Sequence, residues 1–187
     1  MKQNNIKDIL KKNPLIPVAT IKDISQIEEY YLKLKAQDIF CIEITLRTDF
    51  SWKAIELFKA NYGQEFKIGV GTVTSKEDVL KCKSMGVDFM VSPGTSINLI
   101  EEFNKSEIPY ISGVSTPSEI IQFMELGCNC FKFFPANIFG GLEALKNFSN
   151  LFSEIQFCPT GGINASNFKD YLALPNVISV GGSWLLK

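Results

Sequence analysis

The sequence contains no histidine. That absence removes Ser-His-Asp triads, Cys-His dyads and His-ligated zinc. Proton transfer in this chain falls to Glu, Asp, Lys, Tyr, a thiol or water. Cysteine is sparse: Cys41, Cys82, Cys128, Cys130 and Cys158, five in all. An odd number with no secretion signal argues against a disulfide framework. The Cys128-x-Cys130 spacing is too tight for the usual zinc knuckle, so the thiols read as buried apolar residues and no metal is expected. No stretch approaches the ~18 apolar residues of a membrane span. The first residues, "MKQNNIKDILKKN", lack the apolar core of a signal peptide. Charge of one sign is also missing. Nineteen Lys and Arg face twenty Asp and Glu, for a net charge of −1. That balance gives no electrostatic case for nucleic acid or an anionic membrane as partner. What survives these exclusions is a cytoplasmic globular protein.

The 187 residues, 45% hydrophobic and 21% charged, suffice for one domain, 1–187, with a sizeable core. A short amphipathic helix is expected over 4–12, within an N-terminal segment 1–13. A repeating pattern follows. Apolar runs of strand length occur at "LIPVAT" (15–20), "FCIEITL" (40–46), "KIGVGT" (67–72), "DFMVS" (88–92), "PYISG" (109–113), "CFKFF" (130–134), "IQFCP" (155–159) and "VISVGG" (177–182). Between them lie segments with apolar residues at three- and four-residue spacing, such as "ISQIEEYYLKLKAQ" and "TPSEIIQFMELG". Ser, Thr, Asp or Asn stand at their starts, and Gly at several ends, as at Gly86 and Gly127. Eight strands alternating with helices predict a parallel sheet. Their continuous apolar character means that both faces are buried. Eight units favour a (β/α)8 barrel over an open doubly wound sheet. At roughly 20–25 residues per unit the barrel is of minimal size. The sequence stops at Lys187, just after strand eight, so a barrel without its final helix is expected. Exposed apolar surface is therefore expected at Val177, Val180 and Leu185.

In such a barrel, chemistry sits at the carboxyl ends of the strands. Lys132 interrupts an apolar strand there, and a buried lysine is costly unless paired, solvated or put to use. Glu43, Thr45 and Arg47 share one face of strand two, and Lys132 and Phe134 one face of strand six. If both faces point inward, Glu43 meets Lys132. A desolvated lysine favours its neutral amine, which attacks a carbonyl to form a Schiff base. A buried ion pair with no chemical role is the alternative, and residue types alone leave it open. Arg47 suits a carboxylate, which its planar fork grips with two bonds. Thr72 can donate a hydroxyl to the same group. "PTGGINASN" and "VGGSW" put Gly-Gly pairs after strands seven and eight, where barrels commonly hold phosphate through backbone N–H groups. A helix start is expected at Asn164. "GVGTVT" is not a dinucleotide fingerprint, because Thr74 stands where the third glycine belongs.

Taken in order, "IEITLRT", "IGVGTV", "SPG", "TPSE", "KFFPA", "PTGGI" and "GGSWL" resemble the 2-keto-3-deoxy-6-phosphogluconate (KDPG) and 4-hydroxy-2-oxoglutarate (KHG) aldolase family. The resemblance runs from about residue 15 to the end. It implies a class I aldolase, usually a homotrimer, that needs neither cofactor nor metal and acts on a small keto-acid phosphate. It implies that Lys132 forms the Schiff base and that Glu43 shuttles protons. Arg47 and Thr72 then look like the carboxylate site, with the Pro93 backbone nearby. Phe134 looks like a pocket wall. Thr160, Gly161, Gly162, Gly182 and Ser183 look like phosphate and hydroxyl contacts. Asn137 departs from the acidic residue usual after "FPA". The galactose epimer and 4-hydroxy-2-oxoglutarate are the nearest alternative substrates. A phosphosugar isomerase or decarboxylase on a similar barrel is a further alternative, as is a non-catalytic phosphosugar-binding protein. Retention of both Lys132 and Glu43 argues against the last.

Overall fold

A computed structural model describes residues 2–187. Helix α1 (Lys2–Lys12) precedes eight strands: β1 (Leu15–Ala19), β2 (Cys41–Thr45), β3 (Lys67–Gly71), β4 (Phe89–Val91), β5 (Tyr110–Val114), β6 (Cys130–Phe133), β7 (Gln156–Pro159) and β8 (Val180–Gly182). Between them run α2 (Gln26–Lys35), α3 (Ser51–Tyr62), α4 (Lys76–Met85), α5 (Ile97–Ser106), α6 (Pro117–Met124), α7 (Gly141–Leu151) and α8 (Phe168–Leu172). The strands are parallel in the order β7-β6-β5-β4-β3-β2-β1-β8. Bridges at Phe157–Val177 and Thr160–Gly181 bring β7 to β8, so the ring is nearly closed. This is the (β/α)8 barrel expected from sequence.

The period of two sorts the core into two layers. Ile42, Ile44, Phe131, Phe133 and Phe157 face the helices, where they pack with Phe58, Phe66 and Phe103. Ile16, Cys41, Phe89, Val91, Ile111, Cys130 and Cys158 face the barrel interior. Helix α1 closes that interior from below by inserting Ile6 and Leu10, both essentially inaccessible. Burying two such side chains is worth ~1.5–3 kcal/mol each before ordering costs. The lower barrel is therefore a largely apolar plug, with the buried Ser179 hydroxyl set against Cys158. Local signals set the helix starts. Ser75 and Thr116 each form a capping box, with Asp78 and Glu119 respectively, and Gly86 ends α4 in the left-handed region.

Two expectations are corrected. Val177, Val180 and Leu185 are buried, not exposed. The residues after β8 fold back as a 3-10 turn, Trp184–Leu186, which seats Leu185 and Leu186 in the core between the sheet and its helices. Helix α2 and the turn that follows it hold that segment. Lys33 donates to the Leu186 carbonyl at 3.2 Å and Gln37 to the Leu185 carbonyl at 3.1 Å. Nor does a helix start at Asn164. Asn164 Oδ1 accepts from the Ser166 amide at 2.9 Å, and the Asn164 amide donates to Asn167 Oδ1 at 2.9 Å. These local side-chain bonds hold 164–167 in turns, and α8 begins only at Phe168.

Candidate active site

On β6 the outward residues are Phe131 and Phe133, so Cys130 and Lys132 point inward. On β2 the outward residues are Ile42 and Ile44, so Cys41, Glu43 and Thr45 point inward. The two strands are not neighbours, and the ring brings their inward side chains together across the barrel. Lys132 Nζ donates to Glu43 Oε1 at 3.1 Å and to Oε2 at 3.4 Å. Lys132 is 3% exposed and Glu43 2%, so the pair is desolvated above the apolar plug. Room for Glu43 comes from Gly71 on the neighbouring strand. A methyl there would lie 2.8 Å from Glu43 Cγ and Cδ and closer still to Oε1. Lys132 Nζ also stands 5.2 Å from the centre of the Phe134 ring. Beside Lys132 on the neighbouring strand, burial pushes the Cys158 thiol up to about 11, so it stays protonated and leaves the proton chemistry to the carboxylate.

Above Lys132 opens a pocket of about 230 Å³. It gathers most of the residues expected there: Arg47, Lys132, Phe134, Thr160, Gly161, Gly162, Gly182 and Ser183. Arg47 donates through Nε to Thr72 Oγ1 at 3.1 Å, so the two residues assigned to a carboxylate are joined. Thr72 adopts φ 64°. A β-branched residue in that region costs ~1–3 kcal/mol, a strain found mostly at functional sites. Pro93 is set apart from the pocket lining. Its carbonyl packs over Gly113, where any side chain would strike it.

The loops after β7 and β8 lie side by side, joined by the Thr160–Gly181 bridge. The first is pinned to the loop after β6: Ala136 N donates to Thr160 O at 2.8 Å, and Asn137 N to Gly161 O at 3.2 Å. Gly162 has φ 72°, and a side chain there would meet Asn137. Only glycine meets both demands. The neutral Asn137 amide thus borders the loop assigned to phosphate.

Val18, Thr20 and Ile163 also line the pocket, and they are not among the residues expected from sequence. The signal for two of them is strand parity. Ile16, Val18 and Thr20 alternate along the first strand, and Ile16 faces inward. Among the described residues, no group of His, Cys, Asp and Glu is arranged to hold a metal ion.

Known proteins resemble this chain over nearly its whole length. The family model for KDPG and KHG aldolases matches residues 6–187. The 2-dehydro-3-deoxy-phosphogluconate aldolase of Dickeya dadantii is 38% identical over 184 residues, 98% of this chain and 86% of that one. The KHG/KDPG aldolase of Escherichia coli is 37% identical over 184 residues, with the same coverage. Among solved structures, a KDPG aldolase from Legionella pneumophila, with pyruvate captured as a covalent carbinolamine, is 42% identical with a TM-score of 0.91. That match covers 95% of this chain and 86% of the other.

Proposed function

The chain belongs to the KDPG and KHG aldolase family, and from that premise we propose that it is a class I aldolase, a lyase cleaving 2-keto-3-deoxy-6-phosphogluconate to pyruvate and glyceraldehyde 3-phosphate. The observation that carries the reading is the buried Lys132–Glu43 pair, whose lysine lines the pocket while its carboxylate lies behind the lining. A lysine amine at 3.1 Å from a carboxylate has both things a Schiff-base cycle needs: a nucleophile and a group to move its protons.

The steps follow from that pair. Glu43 takes a proton from Lys132, and the neutral amine attacks the C2 carbonyl. The carbinolamine loses water with a proton returned by Glu43, leaving a cationic imine. Glu43, again a carboxylate, takes the proton of the C4 hydroxyl, the C3–C4 bond breaks, and its electrons flow into the imine to give an enamine that Glu43 then protonates. Glyceraldehyde 3-phosphate departs. Protonation of the enamine at C3 and hydrolysis release pyruvate and restore Lys132. Arg47 and the Thr72 hydroxyl hold the carboxylate next to C2. Gly161, Gly162, Gly182 and Ser183 hold the phosphate through backbone N–H groups and one hydroxyl, and Thr160 takes a hydroxyl or phosphate oxygen. Phe134 walls the pocket beside the imine, and the Pro93 backbone flanks the carboxylate end.

The double name of the Escherichia coli relative favours 4-hydroxy-2-oxoglutarate as a second substrate. The active form is a homotrimer, as the family resemblance implies. Apolar side chains such as Ile138, 71% exposed, are surface that a subunit contact would cover. No described helix is long and apolar enough to cross a membrane, which fits a cytoplasmic location. The test is cleavage of the sugar acid phosphate by purified protein, with pyruvate and glyceraldehyde 3-phosphate assayed separately. Equal amounts of both support the reading, and no cleavage by a folded trimer overturns it.

A further inference from the structure

Thr20 stands one residue beyond β1, between the β8 side, which carries the phosphate loop, and the β2 side, whose following loop carries Arg47. It lines the pocket, and its hydroxyl lies 3.0 Å from the hydroxyl of Thr45. Counting hydrogens decides which of the two donates. Thr45 is fully buried and gives its only hydroxyl hydrogen to the Ala19 carbonyl at 2.9 Å. Each hydroxyl has one hydrogen and two lone pairs. The hydrogen between the two threonines therefore belongs to Thr20, and Thr20 is left with lone pairs alone to offer the pocket.

We propose that Thr20 is a specificity-determining residue that accepts a hydrogen bond from the C5 hydroxyl of the substrate. The proposal rests on the aldolase reading above. The substrate spans from carboxylate to phosphate, and Thr20 sits between the strands assigned to those two ends, alongside the hydroxylated carbons. Two of them bear hydroxyls. The one at C4 must lose its proton during cleavage. Thr20 cannot receive that proton, because its own donor chain runs through Thr45 to a peptide carbonyl, which takes none. An acceptor without an outlet for protons suits the hydroxyl that stays intact, the one at C5. It also disfavours any substrate that presents an acceptor at the same place, since two sets of lone pairs would then face each other.

The test uses the condensation direction, where C5 of the product is C2 of the aldehyde. Pyruvate is paired either with glyceraldehyde 3-phosphate or with 3-oxopropyl phosphate, which differs only in lacking that hydroxyl. For wild type, kcat/KM should favour the hydroxylated aldehyde. Thr20→Val keeps the shape and removes the acceptor. It should shrink that preference by roughly 2- to 10-fold, the size of one neutral hydrogen bond. Thr20→Ser should restore it. Thr20→Val that slows both aldehydes equally, or leaves the preference as in wild type, overturns the proposal while the aldolase reading stands. Wild type that condenses neither aldehyde with pyruvate overturns both.

Discussion

Gly71→Ala adds one methyl group at a position that touches no substrate, yet it should disable the enzyme. The backbone accepts alanine there, because Gly71 is not among the residues with positive φ. The obstacle is Glu43. The new carbon would lie 2.8 Å from Glu43 Cγ and Cδ, where ordinary contact begins near 3.4 Å, and closer still to Oε1. The carboxylate must therefore retreat by about 1 Å, which breaks van der Waals overlap and is large against the dimensions of a hydrogen bond. Its bond to Lys132, 3.1 Å at present, would lengthen past bonding distance. Misplacing a catalytic group by about 1 Å costs on the order of 10²-fold. Overpacking should also lower stability by ~1–3 kcal/mol, partly offset by ~0.5–1 kcal/mol from replacing glycine in a strand. Pyruvate release coupled to NADH oxidation reads kcat, and thermal melting reads stability. The expected result is a folded protein with kcat reduced about 100-fold. A folded Gly71→Ala variant with wild-type kcat would show that the position of Glu43 does not matter, and the proton-shuttle role would fall with it.

Glu43→Gln keeps the shape and removes the charge, and it should slow turnover by roughly 10²–10⁴-fold; near-normal kcat in a folded variant removes Glu43 from the mechanism. Ser183→Asp puts a negative charge at the mouth of the phosphate loop, so KM should rise much more for glyceraldehyde 3-phosphate than for pyruvate, and equal rises would show that the loop does not discriminate phosphate. Gly162→Asp is a poorer choice, because its φ of 72° would strain any side chain. All five cysteines are buried, and burial pushes Cys82 up to about 12. The native protein should therefore resist a thiol reagent near neutral pH and react only on unfolding; rapid labelling of the native state would show that the barrel opens.

Much of this was legible in the sequence because the signals were local or had a fixed period. Eight apolar runs gave eight strands in their expected stretches, each within three residues of its expected ends. Alternation along "IEIT" and "FKF" grouped Glu43 and Lys132 with the residues of their own faces, since strand parity does not depend on distant residues, and left only the inward direction for the fold to supply. What was not legible depended on tertiary contacts. Nothing in "SWLLK" says that Lys33 of α2 and Gln37 just after it will hold it, so Leu185 looked exposed. The Asn164 turn competes with a helix start through side-chain bonds that residue type alone leaves balanced. The φ of Thr72 follows from the loop it closes rather than from its own preference. Thr20 was overlooked because a threonine ending a strand is ordinary. Its significance appears only with Thr45 beside it and the Ala19 carbonyl behind.

The central claim is that Lys132 forms a covalent imine with the keto substrate. Incubation with pyruvate and borohydride tests it directly, because reduction fixes the imine as a stable secondary amine. Intact mass should rise by one reduced pyruvate per chain, and peptide mapping should find the adduct on Lys132 alone, with Lys132→Met unmodified. No adduct, or an adduct on another lysine, would contradict the account.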